Sequence, residues 1–129
     1  MTRVLALDHG GARCGCAISD PTGTLATPLG VVARPDTKRG LGALAEIVAE
    51  HGVERVVVGL PLTMRGEEGA QAAAAREFAE RLRSRIGIPV EMWDERLTTV
   101  QAERSGGDAD EDARAAAHLL EAFLAGSTA

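Results

Sequence analysis

The stretch Arg3-Val-Leu-Ala-Leu-Asp8-His9-Gly10-Gly11-Ala12-Arg13-Cys14-Gly15-Cys16-Ala17-Ile18-Ser19-Asp20 decides how this chain is read. Residues 3–8 form an apolar run that ends in a carboxylate, as a short strand would. A glycine-rich turn spans 9–12, and a second strand follows over 13–19. On that strand Cys14, Cys16 and Ile18 share one face, and Gly15, Ala17 and Ser19 share the other, because side chains alternate along a strand. The small face leaves room for another backbone to approach closely. Two short strands joined by a tight turn pair antiparallel. Asp20-Pro21-Thr22-Gly23 is a further turn, leading to a third strand over 25–33 whose Pro28 suits an edge.

Beyond this meander the periodicity changes. Residues 38–51 place Leu41, Leu44, Ala45 and Val48 at helical spacing, with Gly52 as the stop. Residues 55–60, Arg-Val-Val-Val-Gly-Leu, read as a strand buried on both faces, and Pro61 ends it. A loop around Met64-Arg65-Gly66 leads to a helix over about 68–85, with Ala74, Phe78, Leu82 and Ile86 as its expected inner stripe. Gly87 and Pro89 precede a fifth strand, 90–94, which ends in Asp94-Glu95. Thr98 reads as the N-cap of a short helix through Arg104, broken by Ser105-Gly106-Gly107. A last helix, 112–124, carries Ala116, Leu119, Leu120 and Phe123. Strands alternating with helices imply parallel pairing with right-handed crossovers. The expected fold is α/β: one domain over residues 1–129, with a mixed five-stranded sheet, an antiparallel meander plus two parallel strands, flanked by helices.

The chain has 129 residues, 45% of them hydrophobic and 26% charged, a balance that supports a packed core rather than disorder. Aromatic residues are only 2%, which argues against a base-stacking platform for single strands. The net charge of −5 argues against non-specific coating of nucleic acid. Most of that excess lies after residue 100, where two basic residues face six acidic ones. No leader pattern and no apolar run near the ~20 residues of a membrane helix occurs, so a cytoplasmic protein without a membrane partner is expected. Cys14 and Cys16 sit two apart on a strand, poor geometry for a disulfide, and read as small buried side chains.

The acidic residues stand at telling places. Asp8 ends the first strand, Asp94 and Glu95 end the fifth, and sites in open α/β sheets form beyond the carboxyl ends of parallel strands. Strand alternation leaves Asp94 and Glu95 both open. Near the last helix Asp108, Asp110, Glu111 and Asp112 are available. Helical spacing puts Asp112 on the same stripe as Ala116, Leu119 and Phe123, where an acid has no purely structural reason to be. Crowded carboxylates repel one another, and a hard divalent cation with oxygen ligands relieves that conflict.

Four segments together resemble one family. They are Leu5 to Asp20, Val57-Val-Gly-Leu-Pro-Leu-Thr-Met-Arg-Gly66, Asp94-Glu-Arg-Leu-Thr-Thr-Val-Gln-Ala102, and Asp112-Ala-Arg-Ala-Ala-Ala-His-Leu-Leu-Glu121. In this order they resemble the YqgF family, also called RuvX, of pre-16S ribosomal RNA nucleases and Holliday junction resolvases. The resemblance implies a ribonuclease H-like fold and metal-dependent phosphodiester hydrolysis. It carries the family's acids onto Asp8, Glu95 and Asp112, as catalytic residues and as ligands of Mg²⁺ or Mn²⁺, with two ions expected and Asp8 bridging them. Departures from the family pattern are His9, where an aromatic or aliphatic residue is usual, Thr63, and the Asp110-Glu111 approach to the last helix.

Arg13, Arg65 and Arg96 lie in motif loops and turns and are the candidate contacts to the substrate backbone. The expected partner is nucleic acid: RNA in processing of the pre-16S ribosomal RNA 5′ end, or single-stranded or branched DNA. The chain would act as a monomer or homodimer. The alternatives are a structure-selective Holliday junction resolvase on the same site and a non-catalytic nucleic-acid-binding module.

Overall fold

A computed structural model describes residues 3–95 and 109–127. The elements run β1 Val4–His9, β2 Arg13–Ser19, β3 Ala26–Ala33, α1 Lys38–His51, β4 Arg55–Leu60, α2 Ala70–Ile86, β5 Val90–Asp94 and α3 Ala109–Ser127. The short helix expected after Thr98, its Ser105-Gly106-Gly107 break, and Arg96 lie outside the described residues.

The five strands form one sheet in the order β3-β2-β1-β4-β5. β1 pairs antiparallel with β2, and β2 with β3, with a register shift at Cys16/Ala17. β4 runs parallel to β1 on one side and to β5 on the other. β3 is an edge, as its Pro28 requires. β1 and β4, in the middle, are almost wholly buried, which is why both read as continuous apolar runs.

Helices cover both faces. On one, α1 and α2 pack on Leu5, Leu7, Cys14, Cys16, Val56 and Val58. On the other, α3 packs on Val4, Ala6, Ala17 and Val57 through Ala116, Leu119, Leu120 and Phe123. The small face of β2 meets α3, and the cysteine face meets α1 and α2, so the alternation read from residues 13–19 assigns the two layers.

α1 starts where the Thr37 side chain accepts a hydrogen bond from the Gly40 amide at 3.0 Å. It ends at Gly52, which takes the left-handed conformation (φ 63°) and returns its N–H to the Val48 carbonyl. α2 departs from expectation in its inner face. Ala72, Ala75, Phe78, Ala79 and Leu82 are buried, whereas Ala74 is exposed and Ile86 only partly covered. Phe78 and Leu82 set the rotation, and either alanine fits the gap one turn earlier, so the i−3 neighbour Ala75 packs instead of Ala74. Phe78 is the largest fully buried side chain among the described residues, and truncating it to Ala would cost about 3–5 kcal/mol. α3 begins at Ala109, three residues before the expected start, which places Asp112 inside its first turn rather than at its cap.

Candidate active site

The site lies at the carboxyl ends of β1, β4 and β5, on the face that α3 covers. Val4 and Ala6 of β1 face α3, so alternation turns Asp8 the same way. Asp8 is buried, with 5% of its surface accessible. Across the antiparallel pair it stands opposite Gly15. On its other side, one step beyond the Leu7–Val58 pair, lies Gly59 of β4.

Asp8 is therefore flanked in its row by two glycines, and each admits a different acidic residue. A Cβ at Gly15 would collide with the carbonyl of Asp112, so the first turn of α3 rests directly on β2 there. A Cβ at Gly59 would collide with the Glu95 carboxylate, which folds back over β4. With adjacent strands about 4.8 Å apart, Asp112 and Glu95 are delivered to either side of Asp8. Strand alternation by itself leaves Asp94 and Glu95 both open. In the structure Glu95 is the one whose side chain lies over Gly59.

The third carboxylate is engaged elsewhere. Asp112 Oδ2 accepts an ion-paired contact from Arg13 Nε at 2.8 Å, with the two side chains 25% and 39% exposed. Arg13, a candidate contact to the substrate backbone, thus lies beside Asp112. Among the described residues no three His, Cys, Asp or Glu side chains come together closely enough to hold a metal ion. The donor chemistry still suits a hard divalent cation, since all three groups are carboxylates. Holding one ion between them would require the three carboxylates to come closer together than they stand, with Asp112 paired to Arg13.

Arg65 stands exposed in a tight loop after β4. The loop is closed by hydrogen bonds from the Thr63 amide to the Glu67 carbonyl (2.9 Å) and from the Gly66 amide to the Thr63 carbonyl (2.8 Å). Its neighbour Met64 is 94% exposed. Arg96 falls outside the described residues.

Sequence reading passed over one constellation. His9 Nε2 and Asp36 Oδ2 are 2.8 Å apart. The imidazole, 5% exposed, stacks on Phe78 with centroids 4.5 Å apart. His9 was visible as a departure at its position. Nothing in the sequence links it to Asp36, 27 residues on.

Cys14 and Cys16 are free and buried. The neighbouring Cys16 side chain, followed by burial, holds the Cys14 thiol well above its ordinary value. That keeps it in the unreactive protonated form. Among the described residues, no helix is long and apolar enough to cross a membrane.

Known proteins match this chain over most of its length. The family described as "RuvX: Holliday junction resolvase" matches residues 2–126. A Chloroflexus aggregans protein named "Putative pre-16S rRNA nuclease" is 52% identical over 101 residues, covering 78% of this chain and 71% of the relative. A Moorella thermoacetica protein of the same name is 42% identical over 131 residues, covering 95% and 94%. Among solved structures, Thermus thermophilus RuvC in complex with a Holliday junction superposes with a TM-score of 0.63 at 18% identity, covering 99% of this chain and 96% of that one. At that identity the likeness speaks for the fold alone, which is ribonuclease H-like. With the family match spanning residues 2–126 and relatives above 40% identity, the chain belongs to the RuvX family.

Proposed function

We propose that this chain is a divalent-metal-dependent nuclease that hydrolyses phosphodiester bonds of pre-16S ribosomal RNA in the cytoplasm, with Asp8, Glu95 and Asp112 as its active carboxylates. One observation carries the reading: the glycines flanking Asp8 make room for Asp112 on one side and the Glu95 carboxylate on the other. Family membership and the names of the relatives support it.

Two Mg²⁺ or Mn²⁺ ions, when bound, would supply an activated water and neutralise charge on the scissile phosphate. The protein's part is positioning. Asp8, buried and set in the sheet, offers oxygen donors that cannot wander. Glu95 closes the site from the β5 side. Asp112 adds its carboxylate from the α3 side once Arg13 releases it, and the freed guanidinium then faces a backbone phosphate, for which its planar fork is suited. Arg65 extends from its hydrogen-bonded loop to hold the strand farther along, and Arg96 is the third proposed backbone contact.

A junction resolvase on the same residues is the second reading, favoured by the family's own description. Symmetric cutting of two strands would require a two-fold dimer. The deciding experiment offers structured RNA, single-stranded DNA and a four-way junction to the wild-type chain and to Asp8→Asn, with Mg²⁺, Mn²⁺ or chelator. The proposal expects metal-dependent cleavage of RNA, lowered about a hundredfold or more in Asp8→Asn. Equal cutting by Asp8→Asn would overturn the ligand set. Junction cleavage by a dimer, with RNA left intact, would decide for the resolvase. Binding that survives both chelator and Asp8→Asn without any cleavage would decide for a non-catalytic module.

A further inference from the structure

Beside the carboxylate row, where the β1–β2 turn faces the first turns of α2, lies a cleft of about 470 Å³. Glu95 forms part of its wall. The cleft therefore adjoins the place where the scissile phosphate would lie, yet the mechanism above uses none of its other groups. Its size falls within the range of small-ligand sites, roughly 300–1,000 Å³.

The lining says what would fit. Gly10, Gly11, Ala70 and Ala74 supply flat, small walls. Polar groups come from Asp36, His9, Gln71 and Glu95. Two carboxylates and no lysine or arginine among the described lining residues make the cleft unsuited to a phosphate and suited to a neutral group that presents N–H donors. The Asp36 carboxylate is held in place: His9 binds its Oδ2, and His9 is itself buried and stacked on Phe78. A preset acceptor binds without a further ordering cost. A carboxylate has about four acceptor positions, so its bond to His9 leaves others open to a ligand.

We propose that this cleft is a nucleobase subsite that takes a guanine flanking the scissile phosphate. A guanine puts N1–H and the N2 amino group side by side on one edge, and a carboxylate can accept both. Adenine and cytosine place an acceptor nitrogen beside their amino group, which the carboxylate repels, and uracil has a single N–H between two carbonyls. Gln71, on the first turn of α2, can both donate and accept and so can meet the guanine carbonyl. The subsite rests on the nuclease reading above, and its test reads binding rather than cleavage so that the two can fail separately.

The test uses fluorescein-labelled uridine decamers carrying a single guanosine, a single inosine, or neither, titrated by anisotropy with the full chain bearing Asp8→Asn in Mg²⁺. The guanosine decamer should bind about tenfold tighter than the uridine-only one, as expected for one well-made base contact. Inosine, which lacks the N2 amino group, should fall between. Adding Asp36→Asn should remove the preference and leave uridine-only binding unchanged. Equal binding of all three decamers before Asp36 is touched would overturn the subsite without involving any variant that alters the cleft. So would a guanosine preference that persists in Asp36→Asn. If no decamer binds, the subsite falls, while metal-dependent RNA cleavage by the wild-type chain decides the nuclease reading on its own.

Discussion

Arg13 and Asp112 are ion-paired, Nε to Oδ2 at 2.8 Å, across the junction between β2 and α3. The pair gives Asp112 a cation already. A metal ion that recruits Asp112 competes with the guanidinium for the same carboxylate charge, so the pair opposes metal binding by at most what it contributes. Partly exposed pairs contribute about 0.2–1 kcal/mol. Arg13→Gln is therefore expected to tighten Mn²⁺ binding by about two- to fivefold, read by calorimetry without substrate. Unchanged or weaker Mn²⁺ binding would show that Asp112 does not exchange Arg13 for metal.

Gly15 and Gly59 flank the same aspartate but should fail differently when given a methyl group. At Gly15 the obstacle is the Asp112 backbone, which cannot move without lifting α3 off the sheet. Gly15→Ala should lose about 1–3 kcal/mol in denaturant melts. At Gly59 the obstacle is the end of the Glu95 side chain, which can swing away. Gly59→Ala should keep its stability within about 1 kcal/mol while metal binding and cleavage fall. Equal losses of stability, or full activity in Gly59→Ala, would contradict the placement of Glu95.

Asp20 closes the β2–β3 turn. The Thr22 hydroxyl, then the Leu25 and Thr24 amides, hydrogen-bond its carboxylate and lower its pKa to about 2. An unfolded Asp titrates near 3.9, so the stabilisation is complete above about pH 4 and is lost as pH falls through the folded value. The melting-temperature gap between wild type and Asp20→Ala should be constant at neutral pH and narrow towards pH 2. A gap of the same size at pH 2 and pH 6 would mean that the charge is not what holds the turn.

Cys14 and Cys16 should resist thiol reagents in the folded chain. Both are almost fully buried, and the Cys14 thiol is held protonated. Labelling at pH 8 should track global unfolding, speeding up with denaturant, because only the opened chain exposes the thiolate. Rapid labelling of two thiols in native buffer would place the cysteine face outside the core.

Much of this protein is legible along the chain because each element reports its own period. The two-residue alternation of Cys14, Cys16 and Ile18 against Gly15, Ala17 and Ser19 already separates the α1/α2 layer from the α3 layer. Spacing alone puts Asp112 on the inner side of its helix, and the structure seats that turn on Gly15. Where two residues of equal size compete, the pattern cannot choose. Ala74 and Ala75 are both plausible partners for Phe78, and only the packed helix shows that Ala75 turns inward.

What tertiary structure alone decides is which side chains become neighbours across separate segments. Gly15 comes to Asp8 across a short hairpin, but that Gly59 flanks it on the other side follows from strand register, a property of pairing between stretches about 50 residues apart. The same holds for Arg13 with Asp112 and for His9 with Asp36. Local periodicity tells a residue which face it occupies. The partner on that face is set by how whole strands and helices dock, and that is settled by burial of the shared core rather than by any residue's own neighbours in sequence.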